Sequence, residues 1–395
     1  MQYCTKCVYP AAAAAPLTFD ENGVCSGCRV HGQKQEVDWA ERAVMLRELL
    51  DQYRGKGKTY DCLVPVSGGK DSYFQTDTMI EHKMKPLLVT YHGNNYLPVG
   101  QHNLDQMRQV FDADQLVFSP SVKMLVKLNR LAFKMMGDMN WHNHAGIFTY
   151  PVRIAVEHKV PLIIWGEHGY TDLAGMYSMY DFIEMTAKFR LEHAQRGYDW
   201  HDMITDDSRE KVGLSRRPKR NEMVEAEGLI AEDMLWCRYP TDEELDAVGV
   251  RGIYLGNYVN WDANEHTKAM IAKHGWKAAN VPFDRTYRLM SNLDDMHENG
   301  IHDYLKYIKF GYGRCTDHAC KDIRSGLITR DEAIELVRKY DPVKPSDLKR
   351  WLAYVNMSEA EFDAIADTFR SPRVWRKNAV GQWEKDNLWD GKPAA

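Results

Sequence analysis

This 395-residue chain has no apolar run long enough to cross a membrane and no signal-peptide pattern, so the expectation is a protein of the reducing cytoplasm. It has no excess of basic charge: the formal balance is −5, no global field draws it to nucleic acid, and that counts against a tRNA substrate. The Walker A pattern G-x-x-x-x-G-K-[ST] is missing, which sets aside the commonest kinase-type phosphate loop. Internal repeats are missing too, and the only low-complexity tract is the short Ala11–Ala15. No recognisable Cys-His-Glu glutaminase constellation is present. What the chain does have is apolar material. At 44% hydrophobic content it can bury a sizeable core, and its length exceeds one ordinary domain.

The most informative segment is SGGKDS, Ser67 to Ser72. It directly follows an apolar run (Cys62, Leu63, Val64, Pro65, Val66) and directly precedes a helix-like stretch. Ser67, Gly68 and Gly69 let the backbone turn tightly and present unobstructed N–H groups, and the following helix adds its positive end, so an anionic phosphate is favoured there. Lys70 adds a full charge. The bland alternative for a glycine turn is an ordinary strand-to-helix connection; Ser, Lys, Asp and Ser around the glycines argue for a nucleotide. The hexapeptide resembles the PP-loop of the ATP pyrophosphatases, which split ATP between the α and β phosphates and use AMP to activate a carbonyl oxygen. The resemblance implies adenylation, with Ser67, Gly68, Gly69, Lys70, Asp71 and Ser72 on the ATP.

Cys4 and Cys7, then Cys25 and Cys28, form two C-x-x-C pairs joined by a short loop. Each pair can set two thiolates on one tight turn, and two such knuckles can close a tetrahedron around structural Zn²⁺. An iron–sulfur cluster is the rival occupant, and paired disulfides are the alternative that a reducing compartment disfavours. Of the other four cysteines, Cys62 sits on an apolar strand and reads as core, while Cys237, Cys315 and Cys320 have no assigned role.

Trp39, Ala43, Leu46, Leu50 and Tyr53 recur at helical spacing and link the knuckle to the first strand. Strands ending at Val66, over Pro86–Tyr91, Gln115–Ser119 and Pro161–Trp165, then alternate with helices over Tyr73–His82, Asn103–Phe111, Val122–Met136 and His144–His158. That alternation predicts an α/β fold with a doubly wound parallel sheet, which binds ligands at the carboxyl ends of its strands. SGGKDS, Tyr91-His92-Gly93-Asn94 and WGEHGYTD (Trp165 to Asp172) all lie at such ends and are expected to face one pocket. Tyr91 is assigned to the nucleotide. Glu167 and His168 are candidates to take a proton. Beyond a basic, aperiodic stretch (Arg216, Arg217, Lys219, Arg220), read as a solvated charge run, Gly252–Tyr258 makes one more strand and the remainder is expected to be helical. The expected domains are a zinc knuckle over 1–35, an ATP-binding domain over 36–200 and a mainly helical substrate and partner region over 201–395.

Pro282 to Gly326 is dense with groups a core rejects, among them Arg285, Arg288, Asp294, Asp295, Arg314, Asp317 and His318, punctuated by Asn292, Gly311 and Gly313. An exposed helix laced with ion pairs is one reading. The other, preferred here, is a binding surface for a polar ligand, with Arg285, Arg288, Arg314, Asp317 and His318 on the substrate. Together with YDFIEMTAKFRLEHAQRGYDW (Tyr180 to Trp200) and GNYVNWDANEH (Gly256 to His266), these features make the chain resemble an N-acetyl sugar amidotransferase of the PP-loop superfamily. That resemblance implies conversion of an acetamido group on a nucleotide-linked or free sugar to an acetamidino group, for surface polysaccharide or flagellin glycan. It further implies ATP, Mg²⁺ near Asp71, a separate glutaminase subunit supplying ammonia, and a cyclase-like subunit as a further candidate partner. A tRNA thiolation enzyme, which also pairs a C-x-x-C knuckle with SGGKDS, is the alternative.

Overall fold

The computed structural model describes residues 1–290 and 296–390. Asn292, Asp294 and Asp295 lie outside the described residues. Five short strands, β1 (Cys62–Pro65), β2 (Pro86–Tyr91), β3 (Gln115–Phe118), β4 (Leu162–Trp165) and β5 (Arg251–Tyr254), form one parallel sheet in the order β3-β2-β1-β4-β5. The expected doubly wound α/β sheet is therefore present. The chain steps outward from β1 through β2 to β3, then returns to the other side of β1 for β4. The crevice between the loops after β1 and β4 is thus the switch point where such sheets take ligands.

Alternate residues explain the layers. Val64, Val66, Leu88 and Ile164 pack one face against the helix Lys70–Glu81, while Leu63, Leu87, Val89 and Ile163 pack the other against Trp141–His158. The central strands are apolar on both faces because both faces are covered; the edge strand β3 is half-buried. Beyond the sheet the chain is mainly helical, as expected. Thr329 and Glu332 cap the helix Arg330–Tyr340 reciprocally, and the Ser358 hydroxyl accepts from the Glu361 N–H at 3.2 Å. One element departs from that expectation: Trp375–Lys377 and Trp383–Lys385 form an antiparallel hairpin. Trp375 is buried in it, and the Trp383 indole N–H donates to Asp367 at 2.9 Å.

Two expected domain boundaries have no counterpart in the packing. β5 completes the sheet although it lies beyond residue 200. The knuckle cysteines share a hydrophobic cluster with Tyr312, Cys315, Ala319, Cys320, Ile334 and Val337 of the C-terminal helices. A segment of some 35 residues has too little apolar area to stand alone, and this one borrows a core from the far end of the chain.

Candidate active site

The helix of the glycine loop starts at Lys70, three residues earlier than its apolar periodicity indicates, with Gly69 as its N-terminal cap and no side chain capping it. Gly68 has φ +87, and a Cβ there would come within 2.6 Å of the Leu104 backbone, so only glycine fits this turn. The loop is held from below. The Ser67 N–H donates to the Ser72 hydroxyl at 2.9 Å, the Gly69 N–H donates to the Ser67 hydroxyl at 3.3 Å, and the Trp276 indole donates to the Gly68 carbonyl at 3.0 Å. Buried Lys70 places its ammonium 2.7 Å from Asp71 Oδ2. The other Asp71 oxygen is buried with no hydrogen-bond partner among the described residues, which fits a carboxylate awaiting a cation such as Mg²⁺.

A cavity of about 850 Å³ opens above the carboxyl ends of the strands. Ser67, Asp71 and Ser72 line it, as do Tyr91, Glu167 and His168, so the structure brings residues from all three expected loops together. The Tyr91 ring fits because residue 146 is glycine: a Cβ there would meet the ring at 2.4 Å. Glu167 lies 3.0 Å from the Lys321 ammonium, and burial beside Asp172 raises its pKa. Lys321 also pairs with Asp172 at 2.5 Å and holds that carboxyl well below its ordinary range against the cost of burial. His168 caps the short helix that follows. Its Nδ1 lies 2.8 Å from the Thr171 hydroxyl and 3.3 Å from the Thr171 N–H, and burial keeps the ring neutral by lowering its pKa to about 4.

The polar run contributes unevenly. Arg314 and Asp317 line the cavity. Arg314 is bidentate to Asp303 at 3.0 and 2.8 Å, and Asp317 accepts from Lys306 and the Tyr9 hydroxyl, each at 2.5 Å. His318 is buried beside the Thr286 hydroxyl at 2.6 Å, and burial together with nearby Arg288, Arg314, Lys321 and Lys70 holds it neutral. Arg285 and Arg288 are elsewhere. Arg285 donates to the Val343 and Asp341 carbonyls, and Arg288 is locked on Asp322 with both partners buried; neither lines the cavity. His302, Lys306 and Lys321 belong to the polar run read as a ligand surface, but the sequence assigns no individual role to them, to Asp172 or to Arg196. Asp172 stands inside WGEHGYTD, whereas the lysines carry no spacing signal.

Cys4, Cys7, Cys25 and Cys28 are buried, with their sulfurs within 4.8 Å of one another and Cys7 Sγ 3.7 Å from Cys25 Sγ. Four sulfurs around one ion at about 2.3 Å stand roughly 3.8 Å apart, so the donor set fits a single tetrahedral ion. A cluster with each thiolate on a different iron needs wider spacing. The Lys6, Cys7 and Cys25 N–H groups point at Cys4 Sγ at 3.3 to 3.4 Å, as suits a thiolate.

Sheet order, switch-point crevice and glycine loop define the class: an α/β protein with a parallel sheet and a glycine loop at its topological switch point. Within it, residues 283–388 match the family model of the LPS biosynthesis protein WbpG-like C-terminal domain. The match takes in the polar run from Phe283 onward and the C-terminal helices, not the sheet. No match is found among curated proteins. Solved structures similar to the chain include an NMN synthetase from Francisella tularensis (11% identity, TM-score 0.28, covering 62% of this chain and 99% of that one). Another is an NAD⁺ synthetase from Burkholderia pseudomallei (14%, TM-score 0.24, 62% and 95%). The fold assignment rests on the sheet itself. Among the described residues no helix is long and apolar enough to cross a membrane.

Proposed function

We propose that this protein is an ATP-dependent amidotransferase that adenylates the acetamido oxygen of an N-acetylated, nucleotide-linked sugar and replaces it with ammonia-derived nitrogen. The observation that supports the reading is one cavity lined by Ser67, Asp71 and Ser72 of the glycine loop together with Glu167 and His168, and walled by the segment that matches a lipopolysaccharide-biosynthesis family. The loop backbone, Lys70, Ser67 and Ser72 bind the β and γ phosphates, and Tyr91 packs beside the nucleotide. Asp71 would hold Mg²⁺, which would supply neutralisation of the phosphate charge. Glu167 accepts the proton that the attacking nitrogen loses, and Arg314 and Asp317 orient the sugar or its carrier. Arg285, Arg288 and His318 support that wall from behind. None of the eight cysteines lines the cavity, and burial raises Cys237 and Cys315 away from the thiolate form, which disfavours the thiolation alternative.

The four-cysteine site is read as structural Zn²⁺, closed by four sulfurs. One equivalent of zinc is expected in the purified protein without ATP, and Cys28→Ser is expected to lower soluble yield; a folded, active and metal-free Cys28→Ser protein would refute this. The reaction is tested by incubating UDP- and CMP-linked N-acetyl sugars with ATP, Mg²⁺ and ammonium. Mass spectrometry is expected to show oxygen replaced by NH, a loss of about one mass unit, with AMP and pyrophosphate released. A glutaminase partner is expected to be required for glutamine to serve as donor at neutral pH.

A further inference from the structure

The cations on the wall of the large cavity are paired: Lys306 with Asp317, Arg314 with Asp303 and Arg196 with Asp138. One ring among them stands apart. His302, on the helix Asn299–Phe310, lines the same cavity and keeps 14% of its side chain exposed. Its Nδ1 lies 3.0 Å from Asp138 Oδ1. Asp138 is buried, and although burial works against its charge, Arg196 and His302 hold its carboxyl well below the ordinary range. A carboxylate can only accept, so in the neutral ring Nδ1 carries the proton and Nε2 keeps its lone pair. The Nε2 nitrogens of His168 and His318 are sealed, whereas that of His302 has surface and no donor among the described residues.

The same carboxylate aims a second group. Asp138 Oδ2 lies 2.8 Å from Arg196 Nη2, and Arg196 lines the cavity with 36% of its side chain exposed. Arg196 stands at φ +57, in the left-handed region that favours glycine, so the fold holds it there against strain. The Asn140 N–H also donates to Asp138 Oδ1 at 3.0 Å, which fixes the carboxylate itself. An acceptor, His302 Nε2, and a donor, the Arg196 guanidinium, are therefore anchored on the two oxygens of one buried group. Charge around them is close to balanced. Arg196 offsets Asp138, burial and nearby Arg196 pull the Lys309 pKa down to about 7, and burial holds His144, edge-on to His302 at 5.3 Å, neutral at about 3. Such a pair suits a neutral group that donates and accepts at once, and a hydroxyl is that group.

We propose that His302 and Arg196 form a hydroxyl-reading subsite for the sugar, in which one ring hydroxyl donates to His302 Nε2 and accepts from the Arg196 guanidinium. Asp138 is the positioning residue behind both. The proposal rests on the amidotransferase reading above, and it gives a role to Arg196 of the stretch Tyr180 to Trp200, which that reading leaves unused. It makes His302 a selector for substrates that carry a hydrogen-bond donor at one ring position, because a site built around an unpaired acceptor loses that bond when the donor is missing.

The test measures sugar-dependent ATP–pyrophosphate exchange with the whole chain, ATP, Mg²⁺ and a UDP- or CMP-linked N-acetyl sugar, alongside its monodeoxy and deoxyfluoro analogues. With the unmodified protein, removing one hydroxyl is expected to raise the sugar KM by roughly tenfold or more, and fluorine at that position to do the same, because it cannot donate. His302→Ala is expected to raise the KM of the parent sugar by a similar factor and to leave the ATP KM within about twofold. In that variant the parent and the critical deoxy sugar are expected to bind alike, since both changes remove one and the same hydrogen bond. His302→Gln, whose amide oxygen still accepts, is expected to recover part of the affinity. An analogue series with no sensitive position would overturn the subsite without any variant having to fold. An unchanged sugar KM in folded His302→Ala, or losses from variant and analogue that multiply, would overturn it too. Absence of exchange with every N-acetyl sugar would instead overturn the amidotransferase reading, and the subsite with it.

Discussion

The loop Ser67–Ser72 and the run Pro282–Gly326 are both polar stretches, and they use their polarity in opposite ways. The loop uses hydroxyls and one indole to shape its backbone and leaves a helix start uncapped beside an orphaned Asp71 oxygen. The run turns its charges on each other: Arg288 on Asp322, Arg314 on Asp303, Lys306 on Asp317. Density of charge is therefore a poor sign of a ligand surface. Unspent donors and acceptors are a better one, because leaving them unpaired in a folded protein costs free energy that a ligand recovers.

The largest expected effect tests whether the buried polar groups are as dry as they look. Burial holds His142 and His144 at about 3, and His168 and His266 at about 4, all below the ordinary 6.5. Above pH 6.5 both folded and unfolded chains carry them neutral, so their contribution is fully present. As pH falls from 6.5 toward 3 the unfolded chain takes up protons that the folded one refuses, and stability is lost across that window. Urea titrations at stepped pH are expected to show the midpoint falling throughout it; a flat profile from pH 7 to 4 would mean that these rings are solvated.

Next comes the saturated run. Arg288→Ala strands the buried Asp322 carboxylate and is expected to cost roughly 3–5 kcal/mol in urea denaturation while leaving the ATP KM unchanged. A stable Arg288→Ala protein with a raised sugar KM would reverse the contrast and return Arg288 to the substrate. On the loop the signature is the opposite. Lys70→Ala is expected to cut kcat at saturating ATP by roughly two to three decades, since its charge counts most as pyrophosphate departs. A full rate in that variant would remove the loop from catalysis. The smallest effect belongs to Arg216, an exposed cation shared by Asp207 and Glu210, where Ala is expected to leave the urea midpoint and both KM values unmoved.

How far each region was legible follows from how local its physics is. Pro86–Tyr91 and Val122–Met136 read correctly to the residue, because an unbroken apolar run and a helical repeat each carry their own signal. The hairpin at Trp375–Lys385 was read as helical tail. Its clue, an Asn378–Gly381 turn between two short Trp-led strands, is only a few residues long, and its stability comes from Trp375 and Trp383 packing on neighbours distant in sequence.

What the sequence by itself determined is whatever depends on neighbours along the chain: the glycine turn that only residue 68 can make, the paired thiols of the knuckle, the alternation of strand and helix. Tertiary structure decided the rest. It joined the knuckle to helices some three hundred residues away and carried β5 across the expected domain boundary. It also chose Arg314 and Asp317, but not Arg285 and Arg288, for the cavity wall. A side chain's charge is written in the sequence, but whether that charge is spent on a partner depends on which distant residue the fold brings within about 3 Å of it.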